Sequence, residues 1–103
     1  MHKLMVLFNS SEDSLTLETQ WSNAFVGRAE SMPGIRRVSV SRVVGGPGGA
    51  IDLHLLHEFY FDDLNALKAA LASPQGQEAG QALMAFAGEQ VSIYFAEHLE
   101  EAR

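Results

Sequence analysis

The chain has 103 residues, 47% of them hydrophobic and 19% charged, and thirteen acidic against seven basic side chains give a net charge of −6. That size and composition fit one domain with its own core. The acidic balance argues against a sequence-independent grip on nucleic-acid phosphates or an anionic membrane surface. With no cysteine, disulfides, thiolate nucleophiles and Cys-bound zinc are excluded.

The opening MHKLMVLFNSSED turns polar by Asn9, too early for a signal-peptide core, and no run approaches the roughly eighteen apolar residues of a membrane span. A soluble, cytoplasmic protein is the expectation. Lys3–Phe8 is a nearly continuous apolar run, the pattern of a buried central strand. A polar loop follows, with Asp13 as N-cap of a helix over Ser14–Met32 whose stripe is Leu17, Trp21, Ala24, Phe25, Arg28 and Met32. Pro33-Gly34 ends it. Ile35–Val44 reads as the second strand, with Val38 and Val40 on one face and Arg37, Ser39 and Ser41 on the other. Arg36, Arg37 and Arg42 form its only basic cluster, a solvated sheet edge. Gly45-Gly46-Pro47-Gly48-Gly49 lacks the following helix and lysine of a phosphate loop, so it reads as a hairpin tip.

The chain is organised around Ala50–Gly76. Its first half, Ile51–Phe61, is a strand pattern about 35 Å long if fully extended. One face carries Ile51, Leu53, Leu55, His57, Phe59 and Phe61; the other carries Asp52, His54, Leu56, Glu58 and Tyr60. Asp62-Asp63 stops the strand and starts a helix through Leu64, Leu67, Ala70 and Leu71. Ser73-Pro74 starts a third, shorter helix through Ala79, Ala82, Leu83 and Phe86, closed by Gly88. Val91–Phe95 is the fourth strand, with Ser92 and Tyr94 opposite its apolar face, and the charged tail from Ala96 is expected to be loosely held.

The order is βαββαβ, an α+β ferredoxin-like fold: a four-stranded antiparallel sheet with helices on one face. The expected spatial order is four-one-three-two, because strands one and three are the most apolar. A parallel pair is allowed only between those two. The uncovered face then carries Leu56, Glu58, Tyr60, Ser39, Ser41, Ser92, Tyr94, Met5 and Leu7, too apolar for exposure. A homodimer pairing two such faces as an α/β barrel would cover it and enclose a lumen suited to a small molecule.

Three pieces, KLMVLFN, MPGIRRVSVSRVVG and EFYFDDLNALKAALASPQGQEA, carry a resemblance over nearly the whole chain to the EthD family of the dimeric α/β-barrel superfamily. The family is named after a small protein linked to bacterial degradation of ethyl tert-butyl ether. The resemblance also implies relatives among fungal enzymes that act on aromatic polyketides without a cofactor. Many EthD-like sequences carry a histidine late in the first helix, in a stretch like HVPLA. Counting back from Gly34 puts Phe25 there, followed by Val26, Gly27 and Arg28, so both that histidine and its proline are missing.

His54 and His57 point to opposite strand faces, and His54 and Glu58 lie about 13 Å apart, so neither pair holds a metal. His57 reads as a hydrogen-bonded core histidine. Trp21 and Asn9 invite comparison with haem-degrading members of the wider superfamily, but no histidine is spaced as an axial ligand, and Trp21 reads as core. No cofactor is expected. Ser39, Ser41 and Ser92 lack a G-x-S-x-G elbow. Glu58 and Tyr60 are same-face neighbours about 6–7 Å apart. In an apolar lumen such a carboxylate could exchange protons near neutrality while the phenol orients a substrate oxygen. Equally, Glu58 could pair with Arg37 while Tyr60 simply packs. The catalytic candidates are Glu58 and Tyr60, and the substrate-contacting ones are His54, Leu56, Tyr94, Arg37 and Ser39. Two readings stay open. One is a cofactor-free lyase, isomerase or oxygenase acting on a small hydrophobic or aromatic compound. The other is a non-catalytic binding or accessory protein.

Overall fold

The computed structural model describes residues 1–49 and 51–103; Ala50, the first residue of the stretch singled out above, lies outside them. In chain order the elements are β1 (His2–Asn9), α1 (Ser14–Gln20), a π-helical turn (Trp21–Val26), α2 (Gly27–Glu30), β2 (Arg37–Arg42), β3 (Leu53–Phe61), α3 (Leu64–Ala72), α4 (Pro74–Ala87), a 3₁₀ turn (Gly88–Gln90) and β4 (Val91–Glu97). The sheet order is β2-β3-β1-β4 and all three pairs are antiparallel, the β1–β3 pair included. This is the predicted order.

The start signals act as their chemistry dictates. The carboxylates of Asp13 and Asp63 accept from the Thr16 and Ala66 amides, and the Ser73 hydroxyl accepts from the Gly76 amide, each three residues on. Thr16 also holds the Asp13 carboxyl below the ordinary carboxylate range, through its hydroxyl first and its amide second. Boundaries differ where side-chain pattern and backbone pairing part company. The third strand begins at Leu53, not Ile51, and the second spans only Arg37–Arg42, because pairing stops short of the glycine tip. The first helical run closes at Glu30 rather than Met32 and contains the π turn. The helix after Ser73, α4, has 14 residues against nine in α3, and is not the shorter one expected.

The core lies between the helices and the inner face of β1 and β3. Leu4, Val6 and Phe8 of β1 and Leu55, Phe59 and Phe61 of β3 meet Leu17, Phe25, Leu67, Ala70, Ala79 and Leu83. Phe8 stacks on Phe86 and takes Phe25 edge-on. The α3–α4 break depends on Gly76: a Cβ there would stand 2.7 Å from the Leu71 carbonyl oxygen and nearer still to that of Ala70.

Two substitutions check this packing by chemical denaturation. Phe59→Ala empties a fully buried ring site and is expected to cost about 3–5 kcal/mol. Gly76→Ala is expected to destabilise despite alanine's higher helix propensity; a neutral or stabilising result would show that the two helices can separate freely.

Candidate functional site

Register fixes what shares the face that no helix covers. Its first row is Arg37–Tyr60–Lys3–Ala96, the second Ser39–Glu58–Met5–Tyr94, and the third Ser41–Leu56–Leu7–Ser92, reading β2, β3, β1, β4. Six of the seven predicted site residues therefore lie on one surface: Arg37, Ser39, Leu56, Glu58, Tyr60 and Tyr94. His54 does not join them. At the outer end of β3 its Nε2 lies 2.7 Å from Glu18 Oε2 of α1, and Arg42 holds the other oxygen of that carboxylate at 2.7 Å. Arg42 foremost, with His54, keeps the Glu18 carboxyl below its usual range.

Glu58 does not pair with Arg37. Its carboxylate meets Lys3 Nζ at 2.6 Å, with both side chains less than a fifth exposed. Lys3 is a site residue that the sequence reading missed, although the alternation that places Met5 and Leu7 on this face places Lys3 there too. Arg37 instead lies over the Tyr60 ring, 4.2 Å from its centre, and bonds Glu100 at 2.6 Å. The Tyr60 hydroxyl is 3.4 Å from Ser39 Oγ.

The tail is held as far as His98. β4 runs on to Glu97, and the His98 amide donates to the Met1 carbonyl. The His98 ring then packs edge-on against Tyr60 at 4.8 Å. Under His98 and Arg37, Tyr60 is only 5% exposed within one subunit, against the expectation that a monomer leaves it wet, and Glu58, paired with Lys3, is 8% exposed. Continuing the β4 alternation from Tyr94 through Ala96 reaches His98, a signal that was present in the sequence. The part of the face left open is the Tyr94 side, where that ring is 57% exposed.

A second polar cluster lies on the helix side of the same strand. Trp21 Nε1–H donates to His57 Nδ1 at 3.1 Å, which leaves Nε2 to donate to Glu30 Oε2 at 3.2 Å. His57 is fully buried, and Phe25, standing where the family pattern has a histidine, lies edge-on to it at 5.7 Å. Burial lowers the imidazole to about 4. Beside it, a cavity of about 40 Å³ lined by Phe25, Met32, Leu83 and Ile93 is far below the size of a ligand site. At the end of the open face, in contrast, Met1, Arg36, Arg37, His98 and Glu100 line a cavity of about 420 Å³. A larger one, about 560 Å³, lies at the start of α1 around Asp13, Thr16 and Gln20, where the acid is committed to capping. Among the described residues no three His, Asp or Glu side chains converge as a metal cluster, and no helix is long and apolar enough to cross a membrane.

The architecture is that of ferredoxin-like α+β subunits. No family model matches the chain. A solved EthD family protein from Bacillus halodurans is 30% identical, with a TM-score of 0.91, over 96% of this chain and 99% of that one. The chain belongs to the EthD family. A dimeric ferredoxin-like protein of unknown function from Bacteroides fragilis shares the fold, at 20% identity and a TM-score of 0.64, over 94% and 95% of the two chains. An uncharacterised 11.0 kDa protein of the thcB–thcC intergenic region of Rhodococcus erythropolis is 23% identical over 92% of each chain.

The buried imidazole makes stability depend on pH. Its folded pKa is depressed from 6.5 to about 4, so the neutral form is favoured in the fold. The stabilisation is complete above about pH 6.5 and lost as pH falls toward 4, on the order of 3 kcal/mol in all. Denaturation across that range is expected to show this slope in the native chain and to lose it in His57→Leu. That variant starts less stable at pH 7, because the Trp21 N–H is orphaned.

Proposed function

We propose that the protein acts on a small hydrophobic or aromatic compound held over the open sheet face and enclosed by a second copy of the chain. The observation that carries this reading is the Lys3–Glu58 pair, set between the Tyr60 ring and the aliphatic surface of Met5, Leu7 and Leu56 on a face without helices. Few convergent polar groups in an apolar wall are the ordinary make-up of a small-molecule site. Half-exposed Tyr94 extends the wall, and Tyr60 with Ser39 offers hydroxyls to an oxygen of the bound compound. Membership of the EthD family and the dimeric state of the Bacteroides protein support the same reading.

In this reading Glu58 is the group that takes or returns a proton, and Tyr60 orients the phenolic or carbonyl oxygen where charge develops. The chemistry is of the cofactor-free lyase, isomerase or oxygenase kind. Lys3 keeps the carboxylate beside a positive charge and can donate to an oxyanion as Glu58 turns toward substrate. That same ion pair also favours a second reading, a non-catalytic binding protein in which Lys3–Glu58 is a fixed polar anchor. The two differ in turnover, not in where the compound sits.

The neutral phenol 2-naphthol is a suitable probe. Its titration is expected to move the amide resonances of Met5, Leu56, Glu58, Tyr60 and Tyr94; shifts centred on Phe25 and Leu83 would place the site on the helix side instead. Glu58→Gln is expected to weaken binding at least fivefold. It is also expected to cost about 1–3 kcal/mol of stability, because Lys3 loses its counter-charge, and Lys3→Gln in addition should restore part of that. Sedimentation at micromolar concentration should give twice the 11.2 kDa of one chain; an 11 kDa species would remove the enclosing partner.

A further inference from the structure

At the Tyr60 end of the open face, one carboxylate oxygen is gripped as a ligand's would be. Glu100 Oε1 lies 2.6 Å from Arg37 Nη2 and 2.7 Å from His98 Nε2. The two donors are fixed by the sheet: Arg37 belongs to β2, and the His98 amide extends the β4–β1 ladder onto Met1. The acceptor is not, since Glu100 belongs to no helix or strand. Beneath them lies the Tyr60 ring, with Arg37 4.2 Å above its centre, Lys3 at 5.5 Å and the His98 ring edge-on. The cavity of about 420 Å³ opens directly beside this grip.

We propose that this end of the open face is a carboxylate subsite, which takes the acid group of an aromatic or hydrophobic small molecule on Arg37 and His98, with Glu100 holding the place until the ligand displaces it. The inference rests on the open-face reading above and narrows its substrate class to organic acids.

Charge supports it. In a chain of net charge −6, three of the seven basic side chains, Lys3, Arg36 and Arg37, gather here. Two are committed to acids from β3 or its immediate end: Lys3 to Glu58, and Arg36 to both oxygens of Asp62. Arg37 alone is neutralised from the irregular tail, through a pair whose side chains are 51% and 59% exposed. A pair that exposed is weak in water, so an incoming carboxylate exchanges with it at little cost. His98 first, and Arg37 after it, hold the Glu100 carboxyl below its usual range, which shows that the grip favours an anion. The Tyr60 ring, only 5% exposed, is the platform on which Arg37 and His98 are seated, and the aliphatic Leu56–Leu7–Met5 surface beyond it is where the apolar part of the acid would lie.

The test compares sodium 1-naphthoate with neutral 2-naphthol, by calorimetry and amide shifts, on the native chain, Glu100→Gln and Arg37→Gln. The expected result is tighter binding of naphthoate than of naphthol. Glu100→Gln should raise naphthoate affinity by up to about fivefold, as loss of a weak internal competitor predicts, and leave naphthol unchanged. Arg37→Gln should lower naphthoate affinity at least tenfold. Thermal melts of both variants within a few degrees of the native chain show that folding is intact. If naphthol binds the open face while naphthoate gains nothing and Glu100→Gln changes nothing, the subsite is wrong and the open-face reading stands. If naphthoate shifts only Arg37, His98 and their neighbours, with Leu56 and Glu58 untouched, the subsite holds and the open-face reading falls. Failure of naphthoate to bind at all, or its equal displacement by inorganic phosphate, overturns the inference.

Discussion

Everything buried in this molecule depends on the register of β3. Its alternating side chains serve two environments that tolerate no exchange: Leu55, His57, Phe59 and Phe61 enter the helix-side core, while Leu56, Glu58 and Tyr60 enter the open face. A slip of one residue would drive Glu58 against Phe25 and Leu67 and turn Phe59 outward. Both flanking strands enforce the register, since β1 and β2 pair with β3 over most of its length. The strand is therefore the ruler against which both polar clusters are placed.

Those clusters answer burial in opposite ways. On the helix side His57 stays neutral, with both ring nitrogens satisfied by the Trp21 indole and the Glu30 carboxylate, so no net charge enters the core. On the open face Glu58 is matched by Lys3 across the β1–β3 pair. A neutral hydrogen-bonded group rigidifies its surroundings. An ion pair on the helix-free face keeps a charged donor and acceptor side by side. The π turn fits the first, since Trp21 and Phe25, both within it, contact the His57 ring.

The strand order, the caps at Asp13, Asp63 and Ser73, and the two faces of β3 were legible in the sequence because each depends on local chemistry: period-two alternation, or a side-chain oxygen three residues before an amide. Long-range pairing of charges was not. Glu58 had two basic candidates across the sheet, Arg37 and Lys3, and only the three-dimensional placement of the tail decides between them. With Glu100 on Arg37, Lys3 is left for Glu58. His54 was misplaced for a related reason. Alternation assumes a strand held flat to its end, whereas the β1–β3 register shifts at Phe8/Asn9, beside Leu53, and His54 there is drawn to Glu18. The π turn left no compositional mark, since Trp21–Val26 reads at ordinary helical spacing.

The edge strand β4 sets what any partner must do. Tyr94 is half-exposed on the open face, and Ile93 and Phe95 are 41% and 49% exposed on the other, although Ile93 lines the small cavity shared with Leu83 of α4. A second copy laid flat on the open face would cover Tyr94 and leave the two inner-face side chains in water. A copy whose own rim wraps past the edge would cover all three, and would also shield the unpaired backbone that an apolar edge strand presents to other chains. The uncharged VSIYF run carries none of the lysines or prolines that usually guard such an edge. A partner that paired with this edge would cover Tyr94 as well.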